Sequence, residues 1–319
     1  MTRLDAPKAA TWAHEPERSN ALALRVMVWI ALRLGRRIAR GVLVLIAIYF
    51  LLTARRPRRA SRAYLERALG RPANWADLYR HVHTFAATIL DRVYFLRGHT
   101  GWLSLNLRGI DDLEAVLARG RGGFLVGAHF GSFELLRAAG MQIRGGLRIA
   151  MAMFPDNARK INAALAAIAP DAAPEVIALG RPESMLAVRD FLDHGGLVGL
   201  LADRSLPQES ERGQRVRLPF LGSEVEFSDG PFRLAALLRQ QVVFMAGVYH
   251  GGGAYEMRMT PLADFSERPA DTAAREQQIL HRRGHAVDQA QRRARHPARL
   301  GGARVAHRRV GIDDAQAVE

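Results

Sequence analysis

From Asp111 to Leu201, short apolar runs alternate with stretches of helical period, and this alternation restricts the fold more than any other feature of the chain. Residues 124–128, 147–152, 175–179 and 197–201 are apolar runs of strand length. Residues 111–119, 133–140, 156–168 and 183–193 carry the 3.6-residue period of helices. The pattern predicts an α/β fold, a layered sheet flanked by helices. Ligand sites in such folds gather where strands end. At 319 residues the chain is long enough to bury a sizeable core, and one α/β domain with terminal additions is the simplest partition.

The stretch Phe124–Gly140, FLVGAHFGSFELLRAAG, places chemistry at one of those strand ends. Gly131 and Ser132 read as a turn with a helix N-cap, so His129 falls at the end of a strand and Glu134 in the first turn of a helix. On one continuous helix, residues five apart differ by about 140° and do not meet, whereas a strand, tight turn and helix can fold the carboxylate back onto the imidazole. A neutral imidazole is the usual general base near pH 7, and an adjacent carboxylate fixes its tautomer and stabilises the imidazolium. The structural alternative stands beside it: Glu134 is also well placed to favour the positive end of its helix, and His129 to be a hydrogen-bonded histidine at a strand end.

The segment GAHFGSFELLRAAG resembles the first conserved block of the lysophospholipid acyltransferase superfamily, in its bacterial lipid A biosynthesis (lauroyl/myristoyl) branch. Three further blocks resemble the same family. They are MFPDNARKIN at Met153–Asn162, GLLADRS at Gly199–Ser205, and LPFLGSEVEFSDGPFRLAALL at Leu218–Leu238, and the resemblance covers residues 20 to 275. It implies transfer of a fatty acyl group from an acyl thioester to a hydroxyl or amine of a lipid or glycolipid acceptor. His129 and Glu134 are then the catalytic pair, and Arg159, Asp203 and Arg204 bind substrate. Acyl carrier protein is the implied donor, with coenzyme A thioester as the alternative, and no metal or other cofactor is implied. A catalytically weak membrane-surface protein of the same fold is the rival reading. Related proteins often have threonine-proline where this chain has Phe227 and Ser228, a departure that favours a relative within the wider family. Phe220, Leu221 and Phe232 are candidates for an acyl-chain wall, with core packing the better expectation for each. Gly230 and Pro231 fit a helix entry with Asp229 near its cap.

The formal charge of +15 suggests nucleic acid only until it is divided along the chain. Residues 1–60 hold 12 basic and 3 acidic residues, residues 61–280 hold 25 and 24, and residues 281–319 hold 9 and 4. The body is nearly neutral, so no nucleic-acid partner is expected. The N-terminal excess brackets the run Gly41–Leu52, whose 12 apolar residues span about 18 Å against a bilayer core of roughly 30 Å. Such a run lies in the interface, re-enters, or spans only by recruiting the turns before it. No small-residue cleavage site follows, which disfavours a signal peptide, and the flanking arginines place the chain on the cytoplasmic face of the inner membrane. The domain reading is a polar leader at 1–20, a membrane-associating segment at 21–60 that includes an N-terminal apolar helix, and an acyltransferase domain at 61–278. Cysteine is absent, so no disulfide or thiolate site is open to the chain.

Residues 75–97 read as a helix whose Leu78, Val82, Phe85, Ala86 and Ile89 face the core. His81 and His83, two apart, point in different directions and make a poor metal pair. The glycine-rich runs Arg119–Gly123 and His250–Tyr255 lack nucleotide-loop spacing and read as turns, the second as a hairpin. Beyond Ile279 the chain changes character: residues 281–319 hold nine arginines and four histidines but no Phe, Tyr, Trp or Met. Where the resemblance implies an amphipathic helix and an aromatic end, residues 279–319 read as a disordered tail or as a shifted reading frame.

Overall fold

The computed structural model describes residues 21–128, 135–136, 147–153, 175–203 and 215–267. The described chain enters through helices α1 (Ala21–Arg33), α2 (Gly35–Thr53), α3 (Arg55–Leu69) and α4 (Trp75–Leu96). Then come β1 (Ser104–Arg108), α5 (Ile110–Leu117), β2 (Gly123–Gly127), β3 (Ile149–Met153), β4 (Glu175–Ala178), α6 (Pro182–Asp193) and β5 (Leu197–Leu201). The hairpin β6 (Arg215–Phe220) and β7 (Ser223–Ser228) precedes α7 (Gly230–Leu237), β8 (Gln241–Gly251) and β9 (Ala254–Asp264). The expected strands are β2, β3, β4 and β5, each within two residues of its predicted ends. The leader 1–20, the helix 156–168, the tail 279–319 and all of 133–140 except Leu135 and Leu136 lie outside the described residues.

The seven-stranded sheet has the order β1-β9-β8-β2-β5-β3-β4. Strands β8, β2, β5, β3 and β4 run parallel, β9 is antiparallel to β8, and β1 is parallel to β9. Helices cover both faces, which explains why central strands such as GFLVG are buried along their whole length. Phe124 and Val126 of β2 pack with Val188, Phe191 and Leu192 of α6 and Phe232 and Ala235 of α7. Leu125, between them, points the other way, to Phe95 of α4, Leu113 and Val116 of α5, and Leu135 and Leu136. The strand period of two thus divides one sequence run between two cores.

Among the described residues no single helix is long and apolar enough to cross a membrane; α2 and α3 meet that measure only as a pair bent by 95°. The apolar run is part of α2, which begins at Gly35, φ +84°, so residues 35–40 extend the run and α1 does not. The N-terminal helices depart from the sequence reading in two respects. First, α4 buries only part of the face expected: Leu78 is fully buried and Ala86 packs against the core, but Phe85 is 66 % exposed and Ile89 also lies outside, while Ala87, Leu90, Val93 and Tyr94 pack with Ala39 and Leu43 of α2 and Ala31 of α1. The apolar surface of α2 made the difference, because α4 turns toward the partner offering small residues for close approach. Finally, two of the flanking arginines are not surface cations. Arg36 grips the fully buried carboxylate of Asp91 with two hydrogen bonds, at 2.9 and 3.0 Å, and Arg40 approaches it at 3.4 Å.

Asp91 is the joint between these helices and the sheet. It also accepts a hydrogen bond from the Tyr255 hydroxyl of β9 at 3.0 Å. Burial, and then the Asp91 carboxylate, raise the pKa of that phenol strongly, so it remains a donor. Arg36 stacks on Trp102 at 3.7 Å and donates to the Gly252 carbonyl in the β8–β9 turn, and Arg40 donates to the Tyr249 hydroxyl. Helix α4 itself starts at a capping box between Asn74 and Asp77. The Arg71 guanidinium, and then the Asn74 backbone N–H, hold the Asp77 carboxyl down at about 2. His81 packs on the ring of Tyr64 and His83 on that of Tyr79.

Replacing Asp91 by Ala leaves two arginines facing a buried void, and removing one partner of a buried ion pair typically costs about 3–5 kcal/mol. Chemical denaturation of Asp91→Ala is expected to show a loss of that size, well above the effect of Arg71→Ala, whose side chain is half exposed.

Candidate active site

The site is built where the parallel strands end. Neighbours β2 and β5 are paired from Gly123 with Leu197 to Gly127 with Leu201, so the two chains leave the sheet at one level. The pairing continues one residue further, with the Ala202 amide donating to the Gly127 carbonyl at 3.0 Å. Leu201, 40 % exposed, marks the passage from core to rim, and Asp203 follows half-buried on that rim. On its other side β5 pairs with β3, whose last residue is Met153, and the Leu179 amide beyond β4 donates to the Met153 carbonyl at 2.8 Å. The blocks that carry His129, Arg159 and Asp203 therefore issue from three adjacent strands in the order β2-β5-β3.

Of the predicted site residues, Asp203 is described and sits on this rim. His129, Glu134, Arg159 and Arg204 lie outside the described residues. Their described neighbours fix the ends of the connection: Ala128 stands at the exit of β2, and Leu135, fully buried, is anchored in the core shared with Phe95 and Leu125. His129 follows the first of these anchors in the chain and Glu134 precedes the second.

The common level of the rim is set at the opposite edge of the sheet by a close approach of two glycines. A Cβ on Gly122 would lie 1.7 Å from the Gly196 carbonyl oxygen, closer than any side chain permits. The Gly122 amide also donates to the Leu192 carbonyl at 2.8 Å, tying the entry of β2 to the end of α6. At the rim, by contrast, a Cβ on Gly127 would meet the Met245 carbonyl oxygen at 3.4 Å and Leu201 Cδ2 at 3.5 Å, which are ordinary contacts.

The fourth block also bears on this edge. The turn at Leu221 and Gly222 closes the β6–β7 hairpin, and α7 then leads back to the start of β8, so its N-terminus stands on the C-terminal side of the parallel strands. Asp229 is the N-cap residue of α7 but makes no side-chain cap bond. Its buried carboxylate instead accepts from Arg233 Nε at 2.8 Å, while the Gly230 amide donates to Ser228 Oγ at 3.1 Å. Phe232 and Leu221 are core residues, and Phe220 packs edge-on against Phe227. Sequence reading missed Asp91 and the pairing of Asp229 with Arg233. Two signals were present: a lone carboxylate in the apolar run TILDRVYFL, and arginines four apart at 36 and 40, which share a helix face.

A parallel-strand rim carrying a histidine block, a cationic block and an aspartate is a setting for proton transfer to or from a polar substrate group. Compared with known families, residues 15–287 match the model described as bacterial lipid A biosynthesis acyltransferase. No curated protein matches the chain.

The glycine pair gives a direct test of how the rim is set. Gly122→Ala is expected to lower stability by more than about 3 kcal/mol or to prevent folding, whereas Gly127→Ala, one strand length away, is expected to stay within about 1 kcal/mol of the parent in thermal denaturation.

Proposed function

The chain belongs to the bacterial lipid A biosynthesis acyltransferase family, and from that membership we propose that it moves a fatty acyl group from an acyl thioester to a hydroxyl or amine of a lipid or glycolipid acceptor. The family implies an acyl donor and a lipid acceptor. Acyl carrier protein is our preferred donor and CoA the alternative, with the reaction on the cytoplasmic face of the inner membrane. The observation that carries the reading is the shared rim: the blocks of His129, Arg159 and Asp203 leave adjacent parallel strands at one edge.

In the proposed mechanism His129 takes the proton from the acceptor hydroxyl or amine as its lone pair attacks the thioester carbonyl carbon. Glu134 orients the imidazole and stabilises the imidazolium. The tetrahedral intermediate collapses by breaking the carbon–sulfur bond, the electron pair leaves on sulfur, and the imidazolium returns its proton to the thiolate. Arg159 and Arg204 bind anionic groups of donor or acceptor with planar, permanently charged donors, and Asp203 takes a polar group of the substrate. No serine or cysteine nucleophile is needed.

The membrane part of the proposal is supported by the outward face of α1 and α2. Trp29, Ile38, Leu45, Tyr49 and Leu52 are each more than half exposed, while Ala39, Leu43, Ala47 and Leu51 on the other face of α2 are buried. Moving such side chains out of water is worth about 1–2 kcal/mol each, enough together to hold the chain on a bilayer surface. The joint at Asp91 stands at the same end of the sheet as the rim. Gly127 lies beside Met245, and Tyr249 is four residues, about 13 Å, further along β8. A lipid acceptor drawn from the bilayer would then reach the rim from the side that carries α2.

Two outcomes test the proposal. His129→Ala is expected to reduce acyl transfer about 10²–10⁴-fold while leaving the fold and membrane association intact, measured with purified protein and a radiolabelled acyl thioester. Near-normal turnover would remove the mechanism and leave a membrane-surface protein of the same fold. Deleting Gly41–Leu52 is expected to move the protein to the soluble fraction, and high salt alone is expected to release little of the intact chain. Complete release by salt would mean that the apolar face is not in contact with lipid.

A further inference from the structure

The arginines of the N-terminal helices fall into two groups, and only one is used by the fold. Arg36 and Arg40 are turned inward onto Asp91. In α3, Arg58 donates to the carbonyls of Leu51 and Leu52 at 2.6 and 3.0 Å, closing the last turn of α2, and its guanidinium lies 5.6 Å from the ring of Trp75. Arg62 donates to the Ala73 carbonyl at 3.1 Å. These contacts fix the 95° bend between α2 and α3.

Arg55 and Arg59 do none of this. Both are exposed, they are four apart and so share one face of α3, and neither makes a hydrogen bond or ion pair with a described residue. The helix holds six arginines against one glutamate and has no fully buried residue. Like charges at this spacing repel one another, and no acidic side chain on α3 faces them except Glu66, two turns further on. Among the described residues no carboxylate pairs with them, so the two guanidinium groups are open to an anionic partner. Its chemistry is narrowed by what lies beside it: Arg55 begins α3 three residues after Leu52, at the margin of the exposed apolar face formed by Leu45, Tyr49 and Leu52. A surface that is apolar within and anionic at its rim complements both, and that is a bilayer bearing acidic phospholipids. A nucleic acid or an acidic protein would match the arginines alone.

We propose that α3 binds the phosphates of anionic lipid headgroups through Arg55 and Arg59, so that the enzyme selects acidic membrane and is oriented on it. This deepens the membrane reading above and rests on it. The guanidinium forks suit phosphate oxygens, and the 95° bend sets the charged face at the border of the apolar one.

The test uses the full chain and flotation with two kinds of vesicle, zwitterionic phosphatidylcholine alone and the same lipid mixed with phosphatidylglycerol. The wild type is expected to bind both, and the mixed vesicles more tightly. Arg55→Gln/Arg59→Gln is expected to lose about thirty-fold on mixed vesicles and to be unchanged on phosphatidylcholine, and Arg55→Lys/Arg59→Lys to keep most of the preference. Circular dichroism checks that the glutamine variant is folded. Equal wild-type binding to both vesicles overturns the inference but leaves the apolar docking intact, whereas binding to neither overturns the membrane reading itself. A glutamine variant with unchanged vesicle preference but weakened binding to an acidic acyl carrier protein would assign α3 to the donor and also overturn it.

Discussion

A buried carboxylate holds the architecture together. Asp91 is fully enclosed, and removing a carboxylate from water costs several kcal/mol unless strong donors surround it. Here the donors come from two parts of the chain, Arg36 and Arg40 of α2 and Tyr255 of β9, and Arg36 also donates to the Gly252 carbonyl in the β8–β9 turn. No single pair would repay the burial. The full set does, and it can form only when α2, α4 and the β8–β9 hairpin are in one arrangement. The helix that carries the uninterrupted apolar run is therefore fixed to the sheet, with one side packed on α4 and the other left outward.

That arrangement has a consequence for chemistry because β8 outruns β2. The strands β2, β5 and β3 stop at a common rim, while β8 continues to the turn that Arg36 holds. The strand ends that lead into the candidate site blocks and the outward apolar face of α2 thus belong to one end of the sheet. The register that aligns the rim is decided at the other end, where Gly122 and Gly196 approach more closely than any larger residue allows.

Much of this was legible in the sequence because burial and period speak together in a covered sheet. GFLVG and LVGLL read as strands since both their faces are buried, and the hairpin about His250–Tyr255 was marked by its glycines. The face of α4 was misread at Phe85 and Ile89, though not at Leu78, for a physical reason: Phe85 and Ile89 are as apolar as Leu90 and Val93, so period alone could not say which stripe meets α2 and which stays outside. Arg36 and Arg40 were read as membrane-surface charge because their partner lies 55 and 51 residues away, beyond any local pattern. His129 and Glu134 lie outside the described residues, and the sheet adds what the sequence could not, namely that the strands leading into the blocks of His129, Arg159 and Asp203 are neighbours ending on one rim.

In the proposed chemistry His129 acts as a base supported by Glu134, and the pH dependence of kcat/KM for acyl transfer reads that pair most directly. The wild type is expected to show activity rising with pH through the titration of an imidazole. A carboxylate that stabilises the imidazolium raises the pH at which the base becomes free, so Glu134→Gln is expected to shift the midpoint to lower pH while lowering the plateau rate. An unshifted profile in Glu134→Gln, or a wild-type profile with no rising limb in the imidazole range, would contradict it.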